Sequence, residues 1–239
     1  SAPIAYRVLS GPGIIDGGTL TLTGTPGTVV IEVTQAADAD HAASTTTLTF
    51  DVPAPNVLVN ASSRGTVLPN SPLIAGFVVG GSGEKPVLVR AIGPALAGFG
   101  VSGVIPALTL QLFDAKGSVL ATNSAWGGSA SLAATFAQVG AFALEPTSGD
   151  AALVATLRPG NYTAVVSGAS DVSGVALAEV YDASATPLLD TQRVVNLSAR
   201  GAVAAGHPLI AGFVVTASVP KQVLVRGIGS GLAPFGLPA

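Results

Sequence analysis

One segment of this chain occurs twice. Residues 58–103 read LVNASSRGTVLPNSPLIAGFVVGGSGEKPVLVRAIGPALAGFGVSG, and residues 194–239 read VVNLSARGAVAAGHPLIAGFVVTASVPKQVLVRGIGSGLAPFGLPA. At a fixed offset of 136, about 26 of 46 positions are identical. A duplication of this length marks one structural unit written twice, so the architecture must place two near-equivalent sets of elements. No counterpart of residues 104–193 follows the second copy. The expected organisation is therefore a segment 1–55, a complete unit 56–193, and the opening part of a second unit at 194–239.

The elements inside the repeat are expected to be strands. Val, Leu, Ile and Ala fall in short runs separated by 30 glycines and 17 prolines, the texture of strands and turns. In the first segment, TLTLT at Thr19–Thr23, VVIEV at Val29–Val33 and TTLTFDV at Thr46–Val52 read as strands, with a polar loop over Gln35–Ser44 and a linker at Pro53-Ala54-Pro55. In the complete unit, strands are expected at Val57–Ser62, Leu73–Val79, Val87–Ile92, Leu108–Asp114, Val119–Thr122, Ala151–Leu157, Tyr162–Val166 and Val175–Tyr181. Asp114–Gly117 and Pro159–Asn161 carry turn chemistry. SASLAATFAQVGAF at Ser129–Phe142 is the one helical pattern. Strands at this spacing predict an all-β chain of antiparallel β-sandwich or jelly-roll repeats.

Composition narrows the function classes. Charged residues make up 10% of the chain and the net charge is −3, so a basic nucleic-acid footprint is absent. Mean hydropathy is +0.62, yet no apolar run approaches the ~18 residues of a membrane span. Cysteine is absent, which excludes disulfides and thiolate chemistry. A chain poor in charge and rich in Ser, Thr, Gly and Ala suits a secreted, cell-surface structural protein.

The candidate sites are few. GGSGEK at 80–85 superficially resembles a phosphate loop, but Pro86 and a strand follow where a helix is required, so a hairpin turn is expected. Asp38, Asp40 and His41 offer too few ligands for calcium on their own. His41 and His207 are the only histidines, and no G-x-S-x-G elbow is present, so no catalytic residue is assigned and the chain is expected not to be an enzyme. Glu32, Glu145 and Glu179 give no signal of a paired-carboxylate site. No metal or cofactor is expected. Arg64, Arg90, Arg200 and Arg226 occupy matched positions in the two copies. Arg64 and Arg200 are candidates for contact with anionic glycans, against a role in packing and carbonyl bonding. Trp126 is expected in the core beneath the helix, with sugar stacking as the alternative. Phe77, Phe213, Phe99 and Phe235 are expected core anchors. Asn60, Asn161 and Asn196 match the N-glycosylation pattern.

Two further patterns bear on architecture. PGTVVIEV at 26–33 resembles PGNYTAVV at 159–166, each followed by a polar loop and a further strand, so residues 1–52 are expected to be the closing half of a sandwich. Half-units would expose apolar faces and bare edges. They would be completed within one chain or, head to tail, between chains as a homopolymer. LTLQLFDAKGSVLATNSAW, with ALVATLRPGNYTAVVSG and VALAEVYD, resembles the bacterial pre-peptidase C-terminal type of β-sandwich over about Leu108–Ala183. The whole unit is similar to repeats of large bacterial surface proteins, and residues 1–52 resemble the end of an immunoglobulin-like module. These resemblances imply a spacer, adhesin or secretion-associated module. The leading expectation is a non-enzymatic structural segment of an extracellular appendage or filament. The alternatives are a carbohydrate- or matrix-binding adhesin module and an accessory domain of a secreted hydrolase. Calcium-binding relatives carry acidic loops, whereas Asn123-Ser-Ala-Trp126 has no aspartates.

Overall fold

The computed structural model describes residues 2–52, 57–185, 192–216 and 220–236. The chain is mostly antiparallel β, as the spacing of apolar runs predicts. In the first segment, β1 (Ile4–Ser10), β4 (Gly27–Gln35) and β5 (Ser44–Val52) form a three-stranded sheet in the order β1-β4-β5. β2 (Gly13–Asp16) and β3 (Thr19–Leu22) form a separate hairpin. Val29 and Ile31 are buried there, while Ile4, Tyr6, Leu48 and Phe50 remain exposed. The Pro53–Pro55 linker lies outside the described residues.

The repeat unit supplies β6 (Val57–Val67), β7 (Leu73–Gly80), β8 (Lys85–Ile92), β9 (Thr109–Phe113), β10 (Val119–Asn123), helix α1 (Ala130–Val139), β11 (Ala151–Leu157), β12 (Gly160–Ser167) and β13 (Gly174–Asp182). The second copy adds β14 (Arg193–Arg200) and β15 (Ile210–Thr216). Ten strands follow the order β10-β9-β12-β7-β14-β6-β13-β8-β11, with β15 on β6. The link between β14 and β6 is the single pair Val194↔Leu58. The ladder therefore divides into two five-stranded halves, β10-β9-β12-β7-β14 and β15-β6-β13-β8-β11. Alternate residues point inward from both halves: Leu73, Ala75, Phe77 and Val79 from β7 meet Val87, Val89 and Ala91 from β8 in one core.

β8 is buried on both faces. Its even-numbered residues Leu88 and Ile92 enter a second cluster with Trp126, Phe136, Leu144 and Tyr181, under α1. Ser129 caps α1 by accepting from the Leu132 N–H, and Gly140 ends it in the left-handed region at φ 70°. The turn at Asp114–Gly117 joins β9 to β10 as expected. Asp114 Oδ1 accepts from the Lys116 and Ser118 amides at 2.8 and 2.9 Å, and Gly117 supplies φ 80°.

Three expectations require correction. GGSGEK is not a hairpin turn: β7 and β8 belong to different halves, and the loop carries the chain from one to the other. β4 and β5 pair directly with each other, whereas β12 pairs with β7 and β9 and β13 with β6 and β8. The sequence likeness of 26–52 to the end of the unit thus does not extend to topology. Phe99 and Phe213 are exposed, at 64% and 45%, where core anchors were expected. The Phe235 side chain lies outside the described set.

Candidate functional site

The distinctive assembly is the contact between the two copies of the repeat. β6 pairs with β15, and β14 pairs with β7. Since β14 repeats β6 and β15 repeats β7, each copy's first strand lies against the other copy's second strand. The registers match under the offset of 136: Ile210↔Arg64 corresponds to Ile74↔Arg200, Gly212↔Ser62 to Gly76↔Ser198, and Val214↔Asn60 to Val78↔Asn196. Both ladders also break at the same place, leaving Val59 in one and Val195 in the other without a register partner. Thr66 bridges Ala202, its own counterpart, so a local pseudo-twofold axis passes between them.

Side chains obey the same symmetry. A Cβ on Gly76 would lie 2.4 Å from Ser198 Oγ, and one on Gly212 would lie 3.0 Å from Ser62 Oγ. Gly65 and Gly201 each sit against both Leu73 and Leu209. The strands approach closely because glycine occupies these positions in both copies. Beside the axis lies a cleft of about 460 Å³ lined in part by Thr66, Gly174 and His207. His207 Nδ1 is 3.4 Å from Thr66 Oγ1.

The symmetry stops beyond these strands. In the first copy, β8 lies between β11 and β13, and Val87, Leu88, Val89 and Arg90 are all at 0% exposure. The same four residue types at 223–226 are exposed, with Val223 at 45%, Leu224 at 83% and Val225 at 76%. β11 and β13 flank β8, and among the described residues no strand flanks residues 223–226.

Buried charge sits on that central strand. Arg90 donates from Nε and Nη2 to Glu179 Oε2 at 2.8 and 2.6 Å and from Nη1 to the Phe142 carbonyl at 2.7 Å. Its guanidinium stacks over the rings of Phe142, Phe136 and Tyr181. Burial, followed by the Glu179 charge, pushes the Tyr181 hydroxyl well above its ordinary pKa, and that hydroxyl donates to Glu179 Oε1. Lys85 Nζ contacts Asp182 Oδ2 at 2.8 Å and donates to Ser184 Oγ at 2.9 Å. These pairs are neutralised and enclosed. Their chemistry is that of register-setting in a core rather than proton transfer to a substrate. Glu179, which gives no paired-carboxylate signal in the sequence, and Asp182 take their roles from these ion pairs. A signal lies in the strand pattern: Glu179 and Asp182 are two acids three residues apart in the largely apolar β13, and Lys85 and Arg90 are two bases in the largely apolar β8.

The remaining candidates are dispersed. Asp38 Oδ1 accepts from the Asp40 and His41 amides and lies 3.1 Å from His41 Nδ1. The Asp40 amide, then the His41 side chain, hold its carboxyl below the usual range. Asp38 Oδ2 also accepts from the Ala2 amide at 3.1 Å, which ties this loop to the chain just before β1. Among the described residues no group of three or more His, Cys, Asp or Glu is placed to hold a metal. Trp126 is 5% exposed and packs on Phe136, with its Nε1–H donating to the Glu145 carbonyl at 2.8 Å. It is the core residue expected beneath α1 and presents no face to a sugar, so the alternative of a ligand contact falls. Arg64 is half-buried on β6 and Arg200 is exposed on β14; they lie in different halves of the ladder. Asn60 is half-buried and donates to the Val180 carbonyl at 3.5 Å, while Asn161 and Asn196 are exposed on β12 and β14.

Compared with protein-family models, curated proteins and solved structures, the chain matches none. No helix among the described residues is long and apolar enough to cross a membrane.

Proposed function

We propose that the chain is a non-enzymatic structural segment of an extracellular surface appendage or filament, in which repeat units are joined by exchange of strands. The observation that carries this reading is the mirrored ladder between the two copies. It is made of backbone hydrogen bonds and small side chains, and it joins one unit to the next without a separate adhesive site. The low share of charged residues and the resemblance to repeats of bacterial surface proteins support the same role.

The exchange is isologous between copies, so within one chain it closes on itself. It becomes head-to-tail when the second copy of one chain pairs with the first copy of the next. That arrangement leaves an unpaired copy at each end and propagates. Sedimentation velocity and negative-stain microscopy across a concentration series test the proposal. Assemblies that lengthen with concentration, with a regular repeat, are expected. Discrete monomers at every concentration would overturn it.

A further inference from the structure

The outer face of one half of the ladder carries a groove that core packing does not account for. Leu112 of β9, Ala164 of β12 and Ala75 of β7 point into the core. Their neighbours Phe113, Thr163 and Gly76 therefore face outward. With Ser198 of β14 these residues stand in one row across four strands: Phe113↔Thr163, Thr163↔Gly76 and Gly76↔Ser198. The next row on the same face places Val165 and Ile74 beside Arg200. Neighbouring strands lie about 4.8 Å apart, so the row is about 14 Å across. Gly76 brings no side chain to its middle, and the floor dips there. The groove encloses about 510 Å³, with Arg200 at one margin, Asp114 at the other and Asn161 on its wall. Small-ligand sites have volumes of about 300–1,000 Å³.

The charges of the groove are differently committed. Arg7, Arg90 and Arg158 each meet a glutamate. The exposed Arg200 guanidinium meets no acid among the described residues. Asp114 is already engaged, since its Oδ1 accepts from the Lys116 and Ser118 amides. Between the two margins the polar side chains, Asn161, Thr163 and Ser198, are all neutral.

We propose that this face binds an acidic oligosaccharide, a short run of neutral sugars carrying one carboxylate. Arg200 receives the carboxylate, because its planar fork matches two carboxylate oxygens at once. Asp114 excludes a second carboxylate from the far margin, and so fixes the direction in which the sugars lie. The half-buried Phe113 ring offers an apolar surface to the C–H face of a sugar. Asn161, Thr163 and Ser198 supply amide and hydroxyl partners for sugar hydroxyls. Other occupants fit less well. An added peptide strand needs a free edge, and β12 and β7 are bonded on both sides. A nucleic acid needs a field of cations, and the groove offers one.

Arg200 and Ser198 belong to the second copy and the other residues to the first, so the site rests on the pairing of the two copies. Its test is independent of filament growth. The full chain is titrated by calorimetry with trisaccharides that carry one glucuronate or one galacturonate on two neutral sugars. The same trisaccharides with the carboxyl reduced to an alcohol are the controls. At least one acidic probe should bind saturably and at least about tenfold more tightly than its reduced form. Amide shifts in nuclear magnetic resonance should be confined to the groove strands, around positions 74–76, 113, 161–165 and 198–200. Arg200→Ala should weaken binding at least about tenfold with the thermal midpoint within about 2 °C of the parent, as exposed substitutions do. Arg7→Ala, on a separate sheet, should bind as the parent does. Absence of binding by every acidic probe, equal binding of the reduced forms, shifts centred elsewhere, or an Arg200→Ala chain that binds like the parent would each overturn the site. Binding by a chain that stays monomeric would keep the site and remove the filament reading. Assembly without binding would do the reverse.

Discussion

Arg90 and Arg226 occupy the same place in the repeat and meet opposite surroundings. Arg90 has 0% exposure and rests on Glu179 and three aromatic rings, while Arg226 is exposed. Removing one member of a buried pair leaves the other charged and unpaired, which costs about 3–5 kcal/mol. Glu179→Ala should therefore lower the unfolding free energy by about that amount in urea titrations. Arg226→Ala should stay within about 0.5 kcal/mol of the parent, as exposed substitutions do. The double change Arg90→Met with Glu179→Leu should recover most of the loss, because an apolar pair of similar volume needs no compensation of charge. If Glu179→Ala and Arg226→Ala cost the same, the buried geometry of the pair is wrong. Nothing in the repeated motif VLVRxI distinguishes the two arginines. Their difference arises from β11 and β13, which flank the strand of Arg90 and, among the described residues, do not flank residues 223–226.

At the scale of elements, much was legible. Short apolar runs such as LIAGFVV and VALAEVYD, bounded by turn residues, read as strands, and Asp114-Ala-Lys-Gly117 carries its own turn chemistry. β1 and β2 were not anticipated, because IAYRVLS is broken by Arg7 and GIID sits among four nearby glycines, which weakens the apolar pattern. The exchange between copies could not be read from the sequence. Two equivalent strand pairs can bond within each copy or between copies, and composition is identical in both cases. Register settles it here, and a crosslink can test it. The chain has no cysteine, so Thr66→Cys with Ala202→Cys introduces one pair, at the bridge on the pseudo-twofold axis. Directly opposed residues in antiparallel strands have Cβ atoms about 4.5–5.5 Å apart, close to what a disulfide needs. Mild oxidation of dilute protein should give a disulfide within one chain, and the locked chain should no longer assemble with concentration until reduced. Failure to crosslink would refute the pairing of the two copies.

At the scale of the whole molecule, the core and the exposed apolar surface are made of the same sequence. The two halves of the ladder enclose Leu73, Phe77, Val89 and Leu110 at 2% exposure or less, while Leu224 and Val225 stand at 83% and 76%. An apolar segment left open in this way is a route to aggregation. The net charge of −3 on 239 residues offers little repulsion to oppose self-association. Two substitutions at equivalent positions should therefore have opposite consequences. Leu224→Glu should raise solubility and reduce binding of an apolar dye, while shifting the thermal midpoint by no more than about 2 °C, the effect of about 0.5 kcal/mol in a chain of this size. Leu88→Glu places an unpaired carboxylate in the cluster beneath α1 and should prevent stable folding. Light scattering on heating, dye fluorescence and calorimetry read all three properties on the same samples. If Leu224→Glu destabilised the chain as Leu88→Glu does, residues 221–228 would be part of a formed core rather than an open segment.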